Sequence, residues 1–247
     1  MNLRFSGNRA LVLGGTCELA LLLAHAMIES NLFPILTYRD DMGLSAIDDA
    51  VGSFHGRYAT CYLNLGDRDS LDSVFTQIGD GLNFLVDFAQ GNYESLIAGA
   101  DEDGIYTYFM ENISFRAEVL KMAGRAMLKK RKGRLVYISS AAASRPNPGQ
   151  GFYAAAKLAS EALYRNMGLE LGGRGVTTVI LRPGYIDAGR GRIYLQKHDR
   201  KILEMTPIKR AITGEEIVQT ILFLLSESAA GINATEICMD GGSTYVK

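Results

Sequence analysis

The stretch ALVLGGTCELALLLAHAMIE, Ala10 to Glu29, joins a short apolar run to a longer one through a turn with two glycines. The first run is typical of a buried strand, and the second has the length and composition of a buried helix. Nucleotide phosphates commonly bind at such a strand-to-helix turn, on a loop with three spaced glycines. Here Gly14 occupies the first glycine position, Glu18 the second and Ala20 the third. The stretch therefore predicts a nucleotide-binding loop in which two of the glycines are replaced.

The same strand-to-helix pattern recurs along the chain. We predict strands at 10–13, 34–38, 58–63, 82–87, 134–139, 176–182 and 236–239, and helices at 19–29, 44–51, 70–78, 106–130, 152–172 and 215–226. The strands are apolar runs without a polar face, as a parallel sheet covered on both sides requires. We therefore expect one α/β domain, residues 1–247, with a Rossmann-type doubly wound sheet of seven parallel strands and helices on both faces. Its ligand should bind beyond the carboxyl ends of the strands.

Composition excludes several classes of partner. The 247 residues carry 26 basic and 27 acidic side chains, a net charge of −1 that indicates neither nucleic acid nor a membrane surface as partner. Cys17, Cys61 and Cys238 lack metal-site spacing, so we predict reduced thiols in a cytoplasmic protein and no metal. We see no signal peptide, and the apolar run 19–28 is too short to span a bilayer. His25, in that run, is interpreted as a packed core residue.

The motif YAAAK, Tyr153 to Lys157, opens a predicted helix and carries the most specific chemical signal. A spacing of four places both side chains on one helical face. Tyrosine is a weak proton donor at neutral pH because its pKa is near 10. A lysine ammonium about 5 Å away would favour the phenolate by about 3 kcal/mol, or roughly two pKa units. The pair therefore predicts a tyrosine that serves as a general acid, although the motif taken alone is weak.

Three further features surround this pair in the chain. Ser140 ends the run GRLVYISS, so its hydroxyl should lie at the carboxyl end of a strand, where it can bind a carbonyl oxygen. Asn112 lies within a predicted helix, an unfavourable position for an amide that has no partner. Pro183 and Gly184 force a turn after the next strand, at the same edge of the sheet.

In these residues and their spacing, the sequence resembles the short-chain dehydrogenase/reductases, and among them the 3-oxoacyl-acyl carrier protein reductases. The resemblance covers essentially the whole chain and closes with MDGG, Met239 to Gly242. It implies a reductase in which Tyr153 donates the proton and Ser140 positions the substrate oxygen. It also implies that Lys157 lowers the pKa of the tyrosine and holds the nicotinamide ribose, that Asn112 anchors a relay water, and that the protein forms a homo-oligomer, usually a tetramer.

The sequence departs from the family pattern at the cofactor site. Besides Glu18 and Ala20, Asp87-Phe88-Ala89-Gln90 stands where the family has NNAG, and Ala188 replaces a threonine that contacts the carboxamide. Two interpretations remain open: a working reductase with an altered cofactor site, or a non-catalytic homologue that acts as a binding or assembly subunit. In the loop, Glu18 would repel a pyrophosphate unless it points away, although an acid in the first turn also favours a helix N-terminus.

Arg39 decides the cofactor that we expect. Where an NAD-binding site has an acid at the end of the second strand, this chain has Tyr38 and Arg39. A guanidinium pairs with a 2′-phosphate, so NADPH is predicted and NADH is less favoured, unless Arg39 is only a solvated charge. Asn64 replaces the aspartate that contacts adenine. The expected cofactor contacts are Gly14, Thr16, Cys17, Leu19, Arg39, Asn64, Leu65, Ala89, Tyr153, Lys157, Pro183, Gly184 and Ile186.

The substrate is indicated only in outline. The segment 189–207 should cover the site, and its basic part, GRGRIYLQKHDRK, suits either an anionic substrate or a solvated helix. By the resemblance, Arg131 and Arg174 match two arginines that dock an acidic acyl carrier protein, although basic residues at a helix end also complement its dipole. Both arginines precede strands, so they should lie at the opposite sheet edge from the tetrad Asn112, Ser140, Tyr153 and Lys157.

Overall fold

The computed structural model describes residues 3–197, 201–204 and 206–245. Its main sheet has seven parallel strands in the order β3-β2-β1-β4-β5-β6-β9. The strands are β1 (Arg9–Leu13), β2 (Phe33–Tyr38), β3 (Ala59–Tyr62), β4 (Phe84–Asp87), β5 (Gly133–Ile138), β6 (Val176–Pro183) and β9 (Thr235–Met239). This architecture confirms the predicted doubly wound sheet.

Helices cover both faces of the sheet. They are α1 (Glu18–Glu29), α2 (Asp41–Val51), α3 (Arg68–Ile78), α4 (Glu102–Phe109), α5 (Phe115–Lys130), α6 (Gly151–Leu171), α7 (Gly189–Lys197), α8 (Lys201–Glu204) and α9 (Gly214–Leu225). Alternate strand residues feed two hydrophobic cores: Ala10 and Val12 pack on the side of α1 and α9, Leu11 and Leu13 on the side of α3, α5 and α6. The period of two along a strand explains why its whole sequence is apolar.

The ligand crevice is positioned by the order of the strands. The chain runs from β1 outward to β2 and β3, then returns to β4 on the other side of β1. The loops after β1 and β4 therefore diverge and leave a crevice at the carboxyl edge. At this point Gly14 approaches the segment after β4 so closely that a Cβ atom on it would lie 2.9 Å from the Ala89 nitrogen.

At the level of the elements, the structure corrects two sequence predictions and leaves a third partly outside the described residues. The helix predicted at 106–130 is interrupted by a π-helical segment, Met110–Ser114, which separates α4 from α5. His25 is not a core residue: its side chain is exposed, lies edge-on to Phe54 and is 3.6 Å from Glu29. The predicted cover 189–207 contains α7 and α8, and part of it lies outside the described residues.

Two short strands that the sequence analysis missed hold the base of this cover. They are β7 (Ile186–Asp187) and β8 (Ile212–Thr213), which pair in parallel as a second small sheet. Within the described residues, no helix is long and apolar enough to cross a membrane.

Candidate active site

One cleft of about 520 Å³ at the carboxyl edge of the sheet brings most of the predicted site together. The loop before α1 contributes Cys17 and Leu19, and the end of β5 leads to Ser140. The first two turns of α6 contribute Tyr153 and Lys157. The end of β6 and the segment after it contribute the last three predicted cofactor contacts. The predicted residues that line the cleft are Cys17, Leu19, Ser140, Tyr153, Lys157, Pro183, Gly184 and Ile186. The structure therefore brings the predicted cofactor contacts of the loop before α1 into one cleft with the predicted catalytic residues Ser140, Tyr153 and Lys157.

Tyr153 lies in an environment that raises the pKa of its phenol. Burial is the largest cause, and a hydrogen bond with the Ser140 hydroxyl acts in the opposite direction. The charges that lower this pKa belong to Arg190 and Arg116, and desolvation outweighs them; the expected effect of Lys157 on Tyr153 stays a prediction. The phenol is therefore protonated at neutral pH, although a raised pKa also makes it a weaker acid than a solvated tyrosine.

Lys157 is the buried cation of the site. Its Nζ donates a hydrogen bond to the Ile138 carbonyl at 2.8 Å and lies 5.7 Å from the centre of the Tyr153 ring. Burial, followed by the charge of Arg116, holds the pKa of Lys157 well below its usual range. A lowered pKa brings the loss of the Nζ proton closer to neutral pH than in a solvated lysine.

Asn112 lies in the π-helical segment, fully buried, and among the described residues it is not part of the cleft lining. Its side-chain oxygen accepts a hydrogen bond from the Gly91 nitrogen at 2.8 Å, and its amide nitrogen donates to the Tyr108 carbonyl at 2.8 Å. Its main-chain carbonyl accepts a short hydrogen bond from the Arg116 guanidinium. The amide thus has the partners that its position in a helix requires, and it fastens the segment after β4 to the helix.

The glycine loop retains features that fit a phosphate group. Gly14 adopts a φ of +68° and makes the close approach to Ala89 that a side chain would prevent. Cys17, at the N-cap of α1, makes no side-chain capping hydrogen bond, so the first N–H groups of the helix remain available for an anion. Together with the cleft at Tyr153 and Lys157, this loop fits the phosphate and nicotinamide parts of a dinucleotide.

Glu18 lies at the edge of the cleft, with 38% of its side chain exposed. Its carboxylate accepts a hydrogen bond from the Gly189 nitrogen at 2.7 Å and pairs with Arg192 at 2.8 Å. Arg192 also binds Asp187 at 2.9 Å. The residue at the second glycine position therefore fastens the loop before α1 to the N-terminus of α7, beside the expected phosphate position.

Comparison with known proteins gives the family. A family model described as "Enoyl-(Acyl carrier protein) reductase" matches residues 18–244. The chain belongs to the short-chain dehydrogenase/reductase family. Members of this family are NAD(P)-dependent oxidoreductases, and the cleft that holds Tyr153 and Lys157 fits that class of enzyme.

Relatives of known identity match over nearly the full length. The 3-oxoacyl-[acyl-carrier-protein] reductase FabG of Escherichia coli is 29% identical over 248 residues, covering 99% of this chain and 100% of FabG. The corresponding reductase MabA of Mycobacterium avium is 30% identical over 241 residues, covering 96% of this chain and 90% of MabA. A solved structure described as a short chain dehydrogenase/reductase family protein superposes with a TM-score of 0.88 at 28% identity, and each chain is covered completely.

Four further predicted contacts of this short-chain dehydrogenase/reductase lie outside the cleft lining. Thr16 lies in the glycine loop and packs against Gly43 at the start of α2. Arg39 follows β2, with 74% of its side chain exposed and Asp40 at 3.9 Å. Asn64 and Leu65 follow β3. Within the described residues, none of these four belongs to the cleft lining, so their contact with a cofactor stays a prediction.

The sequence analysis missed one buried element of the site, the ion pair between Asp87 and Arg116. Its nitrogen and oxygen atoms are 2.8 Å apart, and both side chains are almost completely buried. A signal was present: an aspartate ends an otherwise apolar strand, and an arginine follows Asn112 by one helical turn. A buried charge is stable only when it is paired, so each of these residues indicates that a partner of opposite charge lies near, without identifying that partner.

Proposed function

We propose that this protein is an NADPH-dependent reductase of 3-oxoacyl thioesters or closely related ketones, with Tyr153 as the proton donor. The observation that carries the proposal is the single cleft in which Tyr153, Ser140 and Lys157 face the loop before α1. The 3-oxoacyl-[acyl-carrier-protein] reductases among the relatives support the same class of substrate.

Each residue of the cleft has a separate chemical task. The cofactor, when bound, supplies the hydride for the carbonyl carbon. Tyr153 donates its phenolic proton to the carbonyl oxygen, which becomes the hydroxyl of the product. The Ser140 hydroxyl orients that oxygen, and Lys157 provides a cation at the tyrosine and binds the ribose. Pro183 and Gly184 shape the wall of the cleft, and a Cβ on Gly184 would lie 2.8 Å from the Asp240 Cα.

NADPH is preferred over NADH in this proposal because Arg39 stands at the carboxyl end of β2. Among the described residues, its exposed guanidinium has a single ion pair, a long one of 3.9 Å to Asp40, so it is available to a 2′-phosphate. The neighbouring Tyr38 brings no negative charge that would repel the phosphate.

We propose further that the protein assembles as a homo-oligomer through α4 and the π-helical segment that follows it. Tyr106 and Met110 expose 69% and 42% of their surface, beside a groove lined by Glu102, Ile105, Phe109 and Ile113. Apolar side chains of this size favour burial against another protein surface.

The alternative function, a non-catalytic family member, rests on Glu18. Its carboxylate lies beside the expected phosphate position, and Ala188 lacks the hydroxyl of the family's threonine. This alternative predicts that neither NADPH nor NADH changes the melting temperature of the purified protein. The reductase predicts a clear rise with NADPH, because a ligand that binds only the folded state stabilises it.

Tyr153→Phe tests the assignment of the proton donor. The variant removes one hydroxyl, so its melting temperature and its NADPH binding should stay near those of the wild type. Turnover of 3-oxoacyl thioesters should fall by about two orders of magnitude or more. Tyr185→Phe, the same change at another tyrosine of the cleft, is the control and should lose far less. Wild-type turnover in Tyr153→Phe would exclude the assignment.

A further inference from the structure

A buried ion pair lies directly behind the proposed active site. Asp87, the last residue of β4, is fully buried and Arg116, in the first turn of α5, is 3% exposed. Asp87 accepts hydrogen bonds from the Arg116 Nε at 2.8 Å, from the Tyr164 hydroxyl at 2.9 Å and from the Ala89 nitrogen at 2.9 Å. Its carboxylate therefore has partners on both oxygens and fixes the guanidinium in one orientation.

The guanidinium of Arg116 joins three segments that build the site. One terminal nitrogen donates to the Asn112 carbonyl and to the Ser160 hydroxyl, which is 2.9 Å away, and the other donates to the Ala89 carbonyl. These partners belong to the π-helical segment, to α6 and to the turn after β4. The same group lies 5.2 Å from the centre of the Tyr137 ring, and the Lys157 ammonium lies 4.9 Å from that centre.

We propose that Arg116 is a positioning residue of the reaction, fixed by Asp87, which holds the Asn112 carbonyl and places a permanent positive charge behind Lys157. The inference rests on the proposed reductase function. The resemblance assigns a relay water to Asn112, but in this chain the guanidinium takes the carbonyl of that residue. Where the family has a relay water, this chain therefore has the fixed positive charge of Arg116. That charge acts on both groups of the proton path, Lys157 and Tyr153.

The charges around Lys157 show why Arg116 matters. Arg116 approaches from α5 and Arg190 from α7, and both lower the pKa of Lys157; Asp87 from β4 and Glu161 from α6 raise it. The rings of Tyr137 and Tyr153 complete the surroundings. Among the four charges, Arg116 has the largest influence, and it also lowers the pKa of Tyr153. Loss of this charge should raise both pKa values.

The decisive variant replaces both partners, Asp87→Asn with Arg116→Gln, so that no single charge stays buried without its counterion. The matched control is Arg134→Gln. Arg134 is also buried, at 5% exposure, and donates to the Thr177 hydroxyl and the Ile232 carbonyl, both at 2.9 Å. It lies near the start of β5, at the opposite edge of the sheet from the cleft.

The primary measurement is the titration of Lys157 by NMR on protein with ¹³C-labelled lysine side chains, assigned by comparison with Lys157→Met. No cofactor or substrate is needed, so the result does not depend on the reductase function. The double variant removes two opposing effects on this pKa, of which that of Arg116 is the larger, so we expect the Lys157 titration to move slightly to higher pH and to stay unchanged in Arg134→Gln. Arg116→Gln alone, which removes only the positive charge, should move it at least as far, and an unchanged titration in both variants would reduce Arg116 to a structural residue.

A second variant covers the case in which the double variant does not fold. Arg116→Lys keeps the positive charge but loses the planar fork. The Lys157 titration should then stay near that of the wild type, while kcat for ketone reduction falls by about tenfold or more because the Asn112 segment is less well fixed. Unchanged kcat, or a titration shifted to higher pH, would overturn the proposal. A wild type that reduces no ketone would instead refute the reductase function and leave the titration result standing.

Discussion

Arg39 and Arg68 have nearly the same surroundings and different positions relative to the crevice. Both side chains are more than two-thirds exposed, and each has one carboxylate between 3.6 and 3.9 Å away. Arg39 follows β2, where a dinucleotide places its adenine ribose, whereas Arg68 begins α3. If Arg39 selects the cofactor and Arg68 does not, the difference comes from their positions, because both are arginines with nearly the same exposure.

Arg39→Ala should weaken NADPH binding and leave NADH binding nearly unchanged. The expected loss is about 1.5–3 kcal/mol, the range for hydrogen bonds to charged groups, which corresponds to about 10–150-fold in Kd. Calorimetry with both cofactors measures it, and Arg68→Ala is the matched control, for which neither affinity should change. Equal losses for NADPH and NADH would show that Arg39 does not bind the 2′-phosphate.

At the scale of elements, Glu18 connects α1 to α7. Its bonds to Gly189 and Arg192 close the edge of the cleft where the glycine loop meets the cover. A bound pyrophosphate would compete with this carboxylate for the same cationic partner, and the two negative charges would repel each other.

Glu18→Gln should therefore leave NADPH binding unchanged or tighten it by up to about fivefold. The gain is small because the Glu18–Arg192 ion pair, which competes with the pyrophosphate, is solvent-exposed and therefore weak. The gain should shrink at high salt. Asp187→Asn removes the other carboxylate of Arg192 without altering the loop, and serves as the control. Clearly weaker NADPH binding by Glu18→Gln, measured by calorimetry, would mean that the carboxylate itself organises the cofactor site.

The interruption between α4 and α5 is also a property of elements. Phe115 donates its backbone hydrogen bond to Met110, five residues back, which widens the helix around Asn112. Periodicity predicted one continuous helix at 106–130, because the apolar pattern passes through this segment without a break. The partner that holds Asn112 in place, the Gly91 nitrogen, is 21 residues away in sequence. A local pattern contains no information about such a contact.

At the scale of the whole molecule, the two edges of the sheet have different surfaces. The cleft lies at the carboxyl edge, whereas Arg131 and Arg174 lie just before β5 and β6, at the amino edge. The two loops touch, since the Gly133 nitrogen donates to the Gly175 carbonyl at 3.0 Å, and Arg131 adopts a left-handed conformation with a φ of 50°. A carrier bound there would have to deliver its substrate to a distant cleft, such as that of a neighbouring subunit.

Reversal of both charges, Arg131→Glu with Arg174→Glu, tests carrier docking. The KM for a carrier-bound 3-oxoacyl thioester should rise and lose most of its salt dependence, while a small soluble thioester is reduced as by the wild type. Lys121→Glu with Arg125→Glu makes the same change in net charge at exposed positions of α5 and is the control. Equal kinetics of the double reversal and the wild type on both substrates would exclude docking at this edge.

The sequence by itself determined the parallel sheet and its two layers of helices, and by resemblance it named the four tetrad residues, whose roles stay a prediction. Strand and helix periodicity depend on near neighbours in the chain, and the spacing of Tyr153 and Lys157 within one helix is a local property. The tertiary structure alone decided that Glu18 binds Gly189, 171 residues away, and that Arg116 pairs with Asp87, 29 residues away. It also decided that burial raises the pKa of Tyr153. Desolvation and long-range pairing depend on which segments surround a group after the sheet has closed, and no local pattern encodes them.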